Sequence, residues 1–236
     1  MTAFALKMIA IISMFLDHIG YFIYKGHVSF FNYLGRFAFP IFAFQISEGY
    51  IHTHNLKKYF SRLFIFALIS QIPFTLFLYG VVYQLPISEY LANIDRFELN
   101  IFFTLFLGLF SIFLYDKIKE KSKVLGLLAV ALICLLGNFI KVDYGYWGIL
   151  LIFIFYFFKN NIPLTVLAYF TMCLIKYGYQ LCISNFNQLY LYLFIGAFLA
   201  IIPIILYNGK LGYKTKKLLY IFYPAHLFLI YLATFI

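Results

Sequence analysis

The stretch LKMIAIISMFLDHIGYF, residues 6–22, is an apolar run that contains Asp17 and His18 near its end. With its apolar flanks it reaches the length of about 20 residues that a membrane-spanning helix needs. An ionisable group inside hydrocarbon costs roughly 2.5–3.5 kcal/mol on insertion scales, so each one needs a partner, a water-filled cavity or a function. We therefore predict a first transmembrane helix over 4–24 and place any chemistry of the protein at its buried ionisable residues.

The rest of the chain repeats this pattern, since 65% of its 236 residues are hydrophobic and 11% are charged. The predicted fold is all-α, a polytopic membrane helix bundle of about nine transmembrane helices (eight to ten), forming a single integral-membrane domain over 1–236. The further predicted spans are 31–51, 62–85, 99–115, 123–140, 146–158, 162–182, 189–207 and 218–235.

Basic residues are concentrated in alternate loops between these spans. One set of loops contains Lys57, Lys58, Arg62, Lys117, Lys119, Lys121, Lys123, Lys159, Lys210, Lys214, Lys216 and Lys217. The other set contains only Lys25, Arg96 and Lys141. Because cytoplasmic loops are enriched in Lys and Arg, we predict a cytoplasmic N-terminus and a multi-pass protein of the bacterial inner or plasma membrane. The formal charge of +10 then reflects these loops and not a nucleic-acid partner.

Several familiar site signatures are absent. Cys134, Cys173 and Cys182 are odd in number and lack a CxxC spacing, which argues against a zinc site, so no metal is predicted. The chain also lacks GxxxxGK[ST], GxGxxG, HExxH and GxSxG motifs. These absences argue against a P-loop enzyme, a Rossmann cofactor binder, a zincin and a typical serine hydrolase.

Five stretches from one end of the chain to the other resemble the TraX family. They are LKMIAIISMFLDHIGYF (6–22), LGRFAFPIFAFQISEGYIHTHNLKKYFSRLFIFALISQIPF (34–74), LNIFFTLFLGL (99–109), DYGYWGIL (143–150) and YNGKLGYKTKKLLYIFYPAHL (207–227). The resemblance implies a place in a wider group of multi-helix membrane acyltransferases. Such proteins take an acyl group from coenzyme A at the cytoplasmic side and pass it to an acceptor near the outer face. The family is associated with acetylation of the N-terminal amine of conjugative pilin.

The wider group also has a two-residue pattern on its first helix, a basic residue and then a histidine after ten intervening positions. Lys7 and His18 match this spacing, with lysine in place of the more usual arginine. Eleven positions at about 100° each return close to the same helix face. The pattern is consistent with the acyltransferase interpretation, but it is not specific by itself.

His18 is the first catalytic candidate. It lies roughly 20 Å along its helix, and histidine titrates near neutrality, so it can remove a proton from an amine or hydroxyl during acyl transfer. The alternative is a structural histidine that is hydrogen-bonded between helices. Whether His18 acts as a base or carries the acyl group covalently stays open.

Three further residues are assigned to the catalytic site. Asp17 points about 100° away from His18, so it is expected to pair with Arg36 at similar depth, in a structural or a catalytic role. His226 lies roughly 12 Å along the last helix, where Pro224 can open the hydrogen-bond ladder toward a cavity. It is expected either to position a substrate or to be structural.

A second set of residues is assigned to the acyl donor, most simply acetyl-CoA. Lys/Arg clusters bind phosphate, although they also act as topology signals or contact anionic lipid. Glu48 is expected to pair with Lys7 or Arg62 or to extend toward the cytoplasm. The set is Lys7, Glu48, His52, His54, Lys57, Lys58 and Arg62.

The function predicted from these residues and the resemblance is that of an acetyl-CoA-dependent acyltransferase. The acceptor would be an amine or hydroxyl of an extracytoplasmic peptide, glycan or lipid, for example the N-terminus of a pilin-like or secreted peptide. Intramembrane charges also suit a small proton-coupled transporter, although no paired half-sequence repeat is present. A non-catalytic assembly partner for a surface fibre is the third hypothesis.

Overall fold

The computed structural model describes residues 1–86, 88–89, 97–213 and 218–236. Arg96, Lys214, Lys216 and Lys217, which contributed to the predicted loop charges, lie outside the described residues. The described part of the chain is nearly all helical, and its longest elements are apolar. The prediction of an all-α, multi-pass membrane protein is therefore confirmed.

Each of the nine segments predicted from hydropathy contains helix. The elements are α1 (Ala3–Ile23), α2 (Phe30–Gly35), α3 (Ala38–His52), α4 (Leu56–Phe77), π1 (Leu78–Val82), α5 (Ile101–Ile118), α6 (Lys123–Phe139), α7 (Gly145–Phe157), α8 (Ile162–Cys173), π2 (Leu174–Gly178), α9 (Tyr179–Ile183), α10 (Gln188–Leu199), α11 (Ile201–Ile205), α12 (Leu218–Leu232) and a final 3₁₀ turn (Ala233–Phe235). Here π1 and π2 are π-helical turns.

Six helical runs in the described ranges are long and apolar enough to cross a membrane. They are Ala3–Ile23, Leu56–Val82, Ile101–Ile118, Ile162–Ile183, Gln188–Ile205 and Leu218–Phe235. Two shorter apolar helices, α6 and α7, and the broken pair α2–α3 account for the other three predicted spans. The predicted count of about nine is consistent with this arrangement.

Two predicted boundaries are corrected by the structure. The segment predicted as one helix over 31–51 is divided at Arg36–Phe37 into α2 and α3. The third span begins at Leu56 and not at residue 62, because Asn55 caps it by accepting a hydrogen bond of 2.9 Å from the backbone N–H of Lys58. The basic residues Lys57, Lys58 and Arg62 therefore lie on a helix and not in a loop.

The described helices fall into two compact units, which are treated separately below. Unit 1 consists of Met1–Phe42, Ile69–Phe97 and Tyr169–Ile236, and unit 2 consists of Ala43–Leu68 and Glu98–Ala168. In unit 1, α1 packs against α2, α12 and π1. The helices α1 and α2 approach each other closely at Gly20. If this residue had a side chain, its Cβ would lie 2.8 Å from the Cβ of Phe31.

In unit 2, α5, α6 and α7 pack against one another. Asp116 accepts hydrogen bonds from the hydroxyls of Tyr50 (2.9 Å) and Tyr156 (2.6 Å), which ties α3, α5 and α7 together. Lys119 completes an ion pair with Asp116. Polar partners thus satisfy the one acidic side chain of the apolar helix α5.

One face of α6 carries large apolar side chains that the protein leaves exposed. Leu125, Leu128, Leu132 and Leu135 are 55%, 54%, 65% and 66% exposed, and their spacing of three or four residues places them on one side of the helix. A contiguous apolar strip of this size is unfavourable in water. It suits contact with lipid chains.

Candidate functional site

His18 and His226 are in direct contact in unit 1, although 208 residues separate them in the chain. Nδ1 of His18 lies 2.7 Å from Nε2 of His226, and the two ring centroids are 5.0 Å apart. His226 is buried, with 4% of its surface exposed, whereas His18 is only partly buried. The pair therefore has one enclosed member and one that is more accessible.

The hydrogen bonds of His226 determine which histidine donates and which accepts in the contact between the two rings. Nδ1 of His226 lies 2.7 Å from the carbonyl oxygen of Phe222, which can only accept, so this nitrogen carries a proton. In the neutral ring Nε2 is then an acceptor, and Nδ1 of His18 must be the donor to it. The second nitrogen of a neutral His18, Nε2, consequently presents its lone pair. That is the form required of a general base.

Aromatic rings enclose the histidine pair. The ring of Phe77, the last residue of α4, meets His18 edge to face with centroids 4.9 Å apart. Phe222 stacks on His226 at 4.6 Å, and Phe15 lies at 6.2 Å on another side. Apolar rings on several sides restrict the tilt of both imidazoles and exclude water from part of the pair.

The contact corrects the depths estimated from the sequence. Counting residues from the start of each helix gives roughly 20 Å for His18 and 12 Å for His226, which would separate them by more than a turn. The structure places them side by side. Residues counted from the start of each described helix therefore do not give a common depth scale for α1 and α12.

The predicted pairing of Asp17 with Arg36 is confirmed. Nη2 of Arg36 lies 2.7 Å from Oδ1 of Asp17, and the two side chains are 16% and 15% exposed. Asn32 adds a second donor, because its amide nitrogen lies 3.1 Å from the same oxygen of Asp17. Nε of Arg36 in turn donates to the carbonyl oxygen of Asn32 at 3.0 Å. This network holds α1 to α2 at the point where the chain breaks after Gly35.

The sequence interpretation missed Asn32, Gly35, Phe77 and Tyr177. Tyr177 is buried in π2, and its hydroxyl is hydrogen-bonded to the guanidinium of Arg36. Asn32 and Arg36 are four residues apart, which places them on one helix face and is a signal that could have been used. Nothing in the sequence marks the π-helical turns. Their places beside His18 and Arg36 agree with the frequent occurrence of such turns at functional sites.

Gly35 supports the network through its missing side chain. A Cβ at this position would lie 2.2 Å from Oδ1 of Asp17 and 2.5 Å from its Cβ. We predict that Gly35→Ala lowers the free energy of unfolding by about 1–3 kcal/mol, because overpacking at this contact exceeds the gain of up to about 1 kcal/mol in helix propensity. Unfolding of the purified protein in mixed micelles measures the effect.

Gly178→Ala is the matched control for this variant. A Cβ there would meet its nearest atom, Cδ2 of Leu174, at 3.5 Å, which is ordinary van der Waals contact. The control variant is expected to unfold like the native protein or at slightly higher denaturant concentration. Equal stability of the two variants would contradict the close contact between Gly35 and Asp17.

The residues assigned to the acyl donor lie in different places. Glu48 and His52 are one turn apart on α3, and Nε2 of His52 lies 3.5 Å from Oε2 of Glu48. The structure thus pairs Glu48 with His52, a partner that differs from the two named from the sequence. Lys7 is a partly buried residue of α1 in unit 1, eleven positions before His18.

The remaining assigned donor residues form an exposed basic surface on unit 2. His54 lies between α3 and α4, and Lys57, Lys58 and Arg62 project from the first two turns of α4. Lys58 and Arg62 are four residues apart and share a helix face. The N-terminus of a helix also favours anions through its unpaired N–H groups. The arrangement is chemically suited to phosphate groups.

Comparison with known proteins adds an independent line of evidence. The family model described as "TraX protein" matches residues 3–234. The chain belongs to the TraX family. The resemblance predicted from the five stretches is therefore confirmed over nearly the whole chain.

A curated relative has a name that refers to fibre assembly. This TraX-family chain is 27% identical over 244 aligned positions to "Probable fimbrial assembly protein FimC, serogroup H1" from Dichelobacter nodosus, with 97% of this chain and 94% of the relative covered. No solved structure gives a significant match. The TraX-family assignment thus rests on the sequence, and the roles of individual side chains rest on the geometry described above.

Proposed function

We propose that this TraX-family protein is a membrane-embedded acyltransferase that moves an acyl group, most simply acetyl from acetyl-CoA, to an amine or hydroxyl at the outer side of the cell membrane. The observation that carries the proposal is the contact between His18 and His226. It leaves a lone pair on Nε2 of a partly accessible His18 while Nδ1 is held by a buried partner.

In the proposed reaction, the proton that the acceptor loses ends on the thiolate that leaves. The acceptor nitrogen or oxygen attacks the thioester carbonyl carbon, and its proton passes to Nε2 of His18. The bond from the carbonyl carbon to sulfur breaks as the new bond to nitrogen or oxygen forms. The thiolate of coenzyme A then receives the proton from His18. His226 keeps His18 in the tautomer that can accept at Nε2, and the carbonyl of Phe222 holds His226.

The other assigned residues support the reaction in two ways. Asp17, Arg36 and Asn32 fix α2 against α1 and so fix the position of His18 on its helix. The exposed cations Lys57, Lys58 and Arg62 of unit 2, with His54 and His52, are chemically suited to phosphate groups such as those of an acyl donor. Glu48 is proposed to orient His52 from one turn away. Lys7 is proposed as a further basic contact on α1.

Peptides are the acceptor class that the relative's name favours. The name refers to fimbrial assembly, and the N-terminal amine of a fibre subunit is a chemically suitable acceptor. The same name also favours a non-catalytic assembly partner for a surface fibre. That alternative needs no free base at His18 and no acyl donor.

Purified protein in lipid, incubated with radiolabelled acetyl-CoA, separates these possibilities. A membrane fraction of the source organism supplies the acceptor, and the same fraction without the protein is the control. We expect label to appear on a peptide, glycan or lipid only when the protein is present. Absence of transfer, together with no binding of acetyl-CoA, would favour the assembly partner and refute the acyltransferase.

A further inference from the structure

In unit 1, the segment 208–213 lies against the beginning of α1. Three backbone N–H groups donate across this contact, those of Asn208 to Met1 (2.9 Å), of Ala3 to Lys210 (2.9 Å) and of Phe4 to Leu211 (3.1 Å). The ring of Phe4 also meets that of Tyr213 edge to face, with centroids 5.8 Å apart. We call residues 1–4 and 208–213 together the clasp. It has no role in the function proposed above.

The sequence of the clasp explains its turn. Oδ1 of Asn208 accepts a hydrogen bond of 3.1 Å from the backbone N–H of Lys210, a local bond that makes asparagine frequent in turns. Gly209 and Gly212 have left-handed φ angles of 73° and 70°, which glycine adopts without a steric penalty. The stretch YNGKLGY, residues 207–213, therefore encodes this turn locally.

The clasp satisfies the first turn of α1. The first N–H groups of a helix have no partner within it. Those of Ala3 and Phe4 donate to the clasp, and that of Ala5 donates to Oγ1 of Thr2 at 3.2 Å. The beginning of α1 is thus held by one particular position of the segment 208–213.

The register set at the clasp continues to the histidine pair. Three contacts join residues that are nearly the same number of positions apart, namely 207 for Phe4 with Leu211, 207 for Phe15 with Phe222 and 208 for His18 with His226. The contacts of α1 therefore advance in step with those of the chain that follows the clasp. A slip of one residue along a helix moves a side chain by about 1.5 Å, which is enough to break the bond of 2.7 Å between the two imidazoles.

We propose that the clasp is a positioning element of the histidine pair, which holds Nε2 of His226 against Nδ1 of His18 by fixing where the chain before α12 meets α1. The inference rests on the acyltransferase function proposed above and adds residues that act on it from the beginning of α1. Gly212 is the critical residue of the clasp. A Cβ at this position would lie 2.6 Å from Oγ1 and 2.9 Å from Cβ of Thr2, so a side chain would force the segment away from α1.

Gly212→Ala and Gly209→Ala form a matched pair of variants. Both introduce a methyl group at a left-handed residue of the same turn, so the backbone strain is common to the two. A Cβ at Gly209 would meet no atom within 4 Å. A difference between the two variants therefore reports the contact of the clasp with α1.

Ala3→Pro weakens the clasp while keeping α1. Ala3 is the first residue of the helix, where proline is favoured and its missing N–H costs no intrahelical bond. Thr2 has an extended backbone (φ −86°, ψ 162°), which suits a residue before proline. The substitution removes the hydrogen bond to Lys210. This variant decides the test if Gly212→Ala does not fold.

The proton position on His18 is the first measurement. The full chain with ¹⁵N-labelled histidine is studied in lipid nanodiscs by solid-state NMR without acetyl-CoA, and the spectrum of His18→Ala assigns the signals. The native protein and Gly209→Ala are expected to show the proton of His18 on Nδ1. Gly212→Ala and Ala3→Pro are expected to show both tautomers, because an imidazole without its partner can carry the proton on either nitrogen.

Transfer of labelled acetyl is the second measurement. Gly212→Ala is expected to lower kcat by about 10- to 100-fold, as for a small misplacement of a catalytic group, and to leave the KM for acetyl-CoA unchanged. Gly209→Ala is expected to keep the native kcat. The elution volume in detergent and the helical circular dichroism spectrum show that each variant is folded.

The two measurements separate this inference from the function on which it rests. A native His18 signal in both Gly212→Ala and Ala3→Pro would overturn the positioning role, as would an equal change in Gly209→Ala and Gly212→Ala. Both tautomers in the clasp variants alone would support the positioning role. If the native protein then transferred no acetyl, the acyltransferase function would be refuted and the positioning of the pair would stand.

Discussion

Replacing His18 with alanine is expected to reduce transfer of labelled acetyl by about 10²–10⁴-fold, the usual contribution of general acid–base catalysis. The variant removes the lone pair on Nε2, which nothing else in the pair supplies, because the nitrogens of His226 are occupied by His18 and the carbonyl of Phe222. Labelled acetyl-CoA with the acceptor fraction measures the rate. An unchanged elution volume in detergent and an unchanged helical circular dichroism spectrum show that the variant folds.

His27→Ala is the control for loss of an imidazole from the same unit. His27 is exposed and lies outside the histidine pair, so the rate is expected to stay at the native value. His226→Ala is expected to lower kcat less than His18→Ala does, because His18 keeps its lone pair and loses only the partner that fixes its tautomer. The KM for acetyl-CoA should be unchanged. Full transfer by His18→Ala would refute the assignment of the base.

The helical segments were predictable because their cause is local. A run of about 20 apolar residues must satisfy its own backbone hydrogen bonds in lipid, and only a helix does so within one segment. All nine predicted segments contain helix for this reason. The break at Arg36–Phe37 and the first π-helical turn instead coincide with contacts between distant parts of the chain, those of Asp17 with Arg36 and of Tyr231 with Gly80. Such contacts are not visible in a hydropathy pattern.

The sequence was enough to predict which types of residue form the candidate site, but not which of their side chains are in contact. A charge in hydrocarbon needs a partner, and this rule alone led to Asp17 and Arg36, which lie on neighbouring segments. The contact of His18 with His226 joins the first and last long helices, which are far apart in the chain. Counting residues could not place these two side chains together. Tyr177 is neutral and lies in an apolar run, so no rule of charge marked it.

Neutralising Asp17 is expected to destabilise the protein more than the Gly35→Ala substitution does. Asp17→Asn leaves the guanidinium of Arg36 without its carboxylate in a mostly buried site, and breaking such a pair costs about 3–5 kcal/mol. The free energy of unfolding in mixed micelles measures the loss. Lys119→Ala, which breaks an ion pair that is 37% and 34% exposed, is the control and is expected to cost at most about 1 kcal/mol.

A double-mutant cycle separates the ion pair from the other contacts of Asp17. Arg36→Gln removes the charge that Asp17→Asn leaves behind, so the double variant is expected to lose less stability than the sum of the two single variants. Residues in direct contact usually differ from additivity by about 0.5–3 kcal/mol. Exact additivity would mean that the bond of 2.7 Å between Nη2 and Oδ1 contributes nothing. The fixed position of α2 against α1 would then depend on the other contacts between them, such as those of Asn32, the hydrogen bond from Ser13 to the carbonyl of Leu34 and the close approach at Gly35.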